Sequence, residues 1–194
     1  AHAAGEAHEP ELVSRAVQSG WGLFVGVMVY LVAIGGLFSL LAAFAWGRLG
    51  NLGPRASAAV LAAASFVAVY LVPFLKYPAN PPSVGNPDTI QYRTALYFGM
   101  IVISIVAMVA AINLGRSLIR GWGLWYASLA GGAAFLVLII VACVVMPGID
   151  EVPTQFPASL LWSFRSNALA LQLIVWGSLG LGFGELTARG LARQ

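Results

Sequence analysis

Charge is scarce in this 194-residue sequence: 9% of residues are Asp, Glu, Lys or Arg, while 60% are hydrophobic and the mean hydropathy is +0.87. Soluble globular domains carry about 25% charged residues, so a water-soluble enzyme is excluded. Lysine is nearly missing. The one present, Lys76, sits in FLKYP rather than in a GxxxxGK[ST] loop, which excludes a Walker-type ATPase. The lone cysteine, Cys143, lies inside an apolar run and can form neither an internal disulfide nor a CxxC metal site. The arginines are scattered, so the net charge of +3 does not form a phosphate-binding stripe, and no nucleic-acid partner is expected. HExxH and a serine nucleophile elbow are absent, and no catalytic constellation or bound cofactor is expected. Acidic or histidine residues near the centre of a span, the usual mark of an ion pathway, are missing too.

What is there is a series of apolar runs. A bilayer core needs about 20 apolar residues per spanning helix, and the charges leave such gaps five times: Trp21 to Trp46, Ala56 to Phe74, Thr94 to Leu114, Gly123 to Met146 and Ser166 to Gly184. Aromatics bracket the first span where an interfacial belt would put them. Pro73 and Pro147 stand where the second and fourth should stop. The sequence therefore predicts an all-α integral membrane protein, a bundle of about five transmembrane helices. It divides into an extracytoplasmic segment at 1–20, one transmembrane domain at 21–184 and a cytoplasmic tail at 185–194. The spacings Gly22/Gly26 and Gly180/Gly184 allow helix backbones to approach closely.

Orientation follows from the basic residues, which collect in short cytoplasmic loops. One side holds Arg48, Arg55, Arg116, Arg120, Arg189 and Arg193 with a single acid, Glu185. The other holds Arg15, Lys76, Arg93 and Arg165 with the remaining acids and both proline-rich loops. The C-terminus is expected in the cytoplasm and Ala1 outside. An external Ala1 calls for a further hydrophobic segment upstream to carry it across.

Seven of the ten prolines fall in the two outer loops, Leu75 to Arg93 and Pro147 to Arg165. Proline lowers the entropy lost on ordering, so these loops are expected to pack together as ordered structure. They echo each other: each starts at a helix-end proline and closes on an aromatic, an arginine and a hydroxyl residue, Tyr92-Arg93-Thr94 and Phe164-Arg165-Ser166. Asp150 and Glu151, held between Pro147 and Pro153, form either a carboxylate pair at an entry vestibule or an acidic turn balanced by Arg165. Lys76 reads as an interfacial anchor whose stem snorkels, or as a counter-ion for those acids. His2 and His8, set among three carboxylates, could take a borderline divalent metal through a turn at Gly5, or form a solvated acidic linker.

The run PFLKYPANPPSVGNPDTI from Pro73, RTALY from Arg93, DEVP from Asp150, Phe156-Pro157 and LWSFR from Leu161 resemble the CbtA family of predicted cobalt transporter subunits. So do ELVSRAVQ from Glu11 and WGRLG from Trp46, and the resemblance covers nearly the whole chain. It implies a multi-pass protein of the bacterial inner membrane in cobalamin-linked cobalt uptake, with Co²⁺ as substrate ion. It also implies a small single-span partner with a histidine motif (CbtB-like). On this topology the motif residues Lys76, Asn80, Asp88, Arg93, Asp150, Glu151 and Arg165 fall on the outer face. The alternative is a non-transporting accessory subunit packed against a larger membrane complex, which the absence of charge within the spans favours.

Overall fold

The computed structural model describes residues 14–82 and 84–193. It is all-helical, 82% helix, with no strand among the described residues. Among the described residues, four helices are long and apolar enough to cross a membrane. The chain forms two compact units, 1–48 and 49–194.

The first unit contributes one long helix, α1 (Gln18–Ala45). Its end is closed by Arg48, whose guanidinium donates to the Phe44 carbonyl and lies 4.6 Å from the centre of the Phe44 ring. A cation there meets the negative end of the helix dipole.

The second unit begins with α2 (Pro54–Lys76). Pro54 occupies its first turn, where a missing N–H costs nothing. Pro73 was expected to end this helix, yet helix continues to Lys76. The reason is a π-helical stretch over Phe66–Leu71, which widens the turn ahead of the proline and pairs the Val72 N–H with the Val67 carbonyl.

The next helical run, Ile90–Val145, has 56 residues. Straight, it would extend roughly 84 Å, far beyond a bilayer core of about 30 Å. It is not straight. Gly123 has φ 73° and ψ 167°, outside helical space and favourable only for glycine. The chain reverses there into α3 (90–122) and α4 (124–145). The reversal is visible in packing: a Cβ on Gly131 would lie 2.9 Å from the Ala111 carbonyl oxygen, and one on Gly115 would lie 3.2 Å from that of Ala127. Counted as spans, the four helices therefore give five crossings, as the apolar runs predict. Arg116 and Arg120, expected in a connector, stand instead on the last turns of α3, because the helix is not broken before Gly123.

The last helix, α5 (Ala158–Leu191), starts behind Pro157, earlier than expected, and so carries Arg165 on its second turn. It packs along α2 with backbones nearly touching. A Cβ on Gly180 would meet that of Ala62 at 2.8 Å, and one on Gly184 would meet the Arg55 Cα at 3.0 Å. The Gly180/Gly184 spacing thus serves a contact within the chain. At that end Glu185 accepts from Arg55 and Arg189, each at 2.7 Å, and these two guanidiniums hold its carboxyl at about 2.

The opposite end is capped by the two proline-rich loops. Beneath them Val72, Met100 and Ala142 form a buried cluster, with Tyr77, Cys143 and Met146 packed against it.

Candidate functional site

The described residues of the two loops lock together, as their proline content leads one to expect. Lys76 Nζ donates to the Cys143 carbonyl at 2.7 Å, and Tyr77 Oη donates to the Pro147 carbonyl at 2.8 Å. The first satisfies a carbonyl in the last turn of α4, which has no partner within its own helix, and the second one just beyond the helix end. Lys76 is therefore a cross-brace between α2 and α4, not the counter-ion of Asp150 or Glu151.

Glu151 is the centre of the second tie. Its Oε1 accepts from Thr89 Oγ1 at 2.6 Å and its Oε2 from the Asn86 N–H at 3.0 Å. Arg93 Nε lies 3.3 Å from Oε2, misaligned for a hydrogen bond, so this contact is coulombic. Arg93 Nη2 donates to the Asn86 carbonyl at 3.2 Å. Both side chains are mostly shielded, 24% and 19% exposed. The Thr89 hydroxyl, then the Asn86 N–H, then Arg93 hold the Glu151 carboxyl below the usual carboxylate range. Gly85 makes room for this tie: its φ is +114°, and a Cβ there would fall 2.7 Å from Arg93 Nη1. The acidic turn is thus balanced by Arg93, and not by Arg165.

Arg165 reaches the other way. Its Nε donates to the Ala79 carbonyl at 3.2 Å and its Nη2 to Asn80 Oδ1 at 2.9 Å. The echo seen in the sequence has a structural counterpart: each helix-start arginine grips the opposite loop, Arg93 the second and Arg165 the first.

These ties border an open-mouthed cavity of about 470 Å³. Arg93, Arg165, Asn80, Asp150 and Glu151 stand on its wall with the aromatic rings of Tyr70, Phe74, Tyr77 and Tyr97. Tyr70 stacks between Phe66 and Phe74, with ring centroids 6.0 and 5.4 Å apart. Asp150 is exposed and, among the described residues, has no hydrogen-bond or ion-pair partner. The two neighbouring acids therefore differ: Glu151 is committed to the loops and Asp150 is available.

Asp88 lies apart from the cavity wall. It stands in the turn that starts α3, where Asn86 Oδ1 accepts from its N–H at 3.0 Å. His2 and His8 fall outside the described residues. Among those described, no group of three or more His, Cys, Asp or Glu converges to hold a metal ion. Sequence reasoning missed Asn86, Thr89 and the aromatic wall. Two signals for them existed: Asn-Pro at 86–87 is a helix-start signature, and Phe66, Tyr70 and Phe74 follow the spacing of one helical face.

Arranged this way, the chain is a multi-pass helical membrane protein whose proline-rich loops fold into a cavity at one end of the bundle. Residues 1–188 match the model of the CbtA family, described as probable cobalt transporter subunit, and the chain belongs to that family. No curated protein and no solved structure matches the chain.

Proposed function

We propose that this chain is a permease component for uptake of cobalt or a related divalent metal across the bacterial inner membrane, serving cobalamin supply. The observation that carries this reading is the family match over nearly the whole chain, which supports a transport role rather than catalysis. The loop face is the entry side, the C-terminus is cytoplasmic, and the family description as a subunit supports a partner, here a small single-span protein with a histidine motif. The available carboxylate of Asp150 on the cavity wall is a first contact for arriving metal, while His2 and His8 raise local metal concentration. Spans without central charge, and the lack of a three-ligand group among the described residues, favour the second reading, an accessory subunit of a larger complex.

Uptake of radiolabelled cobalt at low concentration separates these readings. Asp150→Asn is expected to lower uptake about tenfold, a barrier change of ~1.4 kcal/mol, because it removes the available charge without touching the loop ties. His2→Ala/His8→Ala is expected to cost less than about twofold, ~0.4 kcal/mol. Wild-type uptake by Asp150→Asn would move weight to the accessory subunit. For orientation, a cysteine at Thr154 should react with an impermeant maleimide added to intact cells, and one at Arg116 should not, both in a Cys143→Ala background. The reverse pattern would invert the topology.

A further inference from the structure

The charges on the cavity wall do not suit a bare metal ion. Arg93 is matched by Glu151. Arg165 is half-buried and donates only to neutral acceptors, the Ala79 carbonyl and Asn80 Oδ1, so among the described residues its positive charge has no anionic partner. Asp150, on the same cavity wall, has no cationic one. The wall thus carries one unmatched positive and one unmatched negative group, with Tyr70, Phe74, Tyr77 and Tyr97 around them.

Each part selects a different chemistry. An unmatched guanidinium repels a dication and binds a carboxylate. An unmatched carboxylate attracts a metal ion or the waters bound to it. Aromatic faces add little for a hydrated ion but make favourable contact with an organic frame. Size points the same way. The cavity of about 470 Å³ lies within the usual range of small-molecule sites.

We propose that this cavity binds a divalent metal as its chelate with a small organic carboxylate, with a free carboxylate of the chelator on Arg165, the metal-bound waters on Asp150 and the carbon frame against the aromatic wall. The assignment of the metal rests on the permease reading above; the two-pole recognition rests on the cavity.

Equilibrium binding to the purified full chain in detergent, with cobalt(II)–citrate, cobalt(II) alone and citrate alone as probes, tests it. Wild type should bind the chelate at least about tenfold more tightly than either component. Arg165→Gln should weaken chelate binding about tenfold and leave cobalt alone unchanged, and Arg165→Lys should recover part of the loss. Because Arg165 also ties down the first loop, Asn80→Ala serves as a partial control: it loses the Asn80 half of that tie, keeps the bond to the Ala79 carbonyl and the charge, and should retain most of the chelate binding. Cobalt alone binding as tightly as the chelate, or a chelate affinity indifferent to Arg165→Gln, would overturn the proposal. So would an Asn80→Ala loss equal to that of Arg165→Gln, since the arginine would then act only through the loop. Uptake assays keep the two readings apart. Chelate binding without cobalt uptake in cells would sink the permease and leave the site, whereas uptake with no preference for the chelate would do the opposite.

Discussion

Replacing Glu151 with alanine should unfasten the loop face. Three groups lose their acceptor or counter-ion at once: the Thr89 hydroxyl, the Asn86 N–H and Arg93. Arg93 is then left three-quarters covered beside its remaining bond to the Asn86 carbonyl, and a shielded charge without its partner is strongly unfavourable. The expected result is a several-fold rise in the labelling rate of a cysteine at Val84, in a Cys143→Ala background, and a fall in thermal midpoint in detergent. Glu151→Gln, which keeps an acceptor for Thr89 but no charge for Arg93, should fall between. Equal labelling rates in all three proteins would refute the tie.

The same tie fixes a pH dependence. Because the folded-state pKa of Glu151 lies below the ordinary value of about 4.3, its contribution is fully present above that value and is lost as pH falls through the lowered one. Labelling at Val84, taken relative to a fully exposed reference cysteine so that the thiolate's own pH dependence cancels, should therefore be flat from about pH 8 to about pH 5 and rise only as pH falls below the ordinary carboxylate range. Glu151→Gln should abolish the rise.

Widening Gly180 and Gly184 should have the largest effect on the bundle itself. A Cβ at Gly180 would lie 2.8 Å from the Ala62 Cβ and 3.4 Å from the Ala59 Cα, and one at Gly184 would lie 3.0 Å from the Arg55 Cα. These neighbours are backbone or alanine, which cannot swing aside, so α2 and α5 must separate along their length. Overpacking of this kind costs about 1–3 kcal/mol per site, and Gly180→Val/Gly184→Val should lower the thermal midpoint accordingly. Gly177 and Gly182, on the same helix, have nothing within 4 Å of an added Cβ. Valine at those positions should change stability by less than about 0.5 kcal/mol. A similar loss in both pairs would mean that helix propensity, and not the close approach, sets the penalty.

The spans could be read from the sequence because a bilayer imposes a length on apolar runs, and the charges mark where each run stops. The reversal at Gly123 was legible in the same way, since arginine on one side and apolar residues on the other bracket it. Helix ends were harder. Proline at 73 marks an end only if the turn before it is α-helical, and the π stretch at Phe66–Leu71 depends on packing that no local pattern reveals. The loop ties were half legible. Proline content foretold order, and the repeated arginines pointed to matching roles, but the partner of Glu151 was misassigned to Arg165. Spacing places Arg165 nearer in sequence, 14 residues away against 58 for Arg93; the fold brings the distant one into contact. Such pairing depends on where α2, α3 and α5 end in space, which is set by the helix packing below.

The tie at Glu151 also has a consequence for biosynthesis. Its oldest partner, Asn86, lies 65 residues upstream. At about 5–20 residues per second on the ribosome, roughly 3–13 seconds separate the emergence of the two. For 58 of those residues Arg93 waits without the Glu151 carboxylate, and the α3–α4 hairpin must insert before it arrives. Maturation of the loop face is thus timed by the α3–α4 hairpin: a nascent chain arrested before residue 151 should carry an unfastened first loop, whatever the state of the helices already in the bilayer.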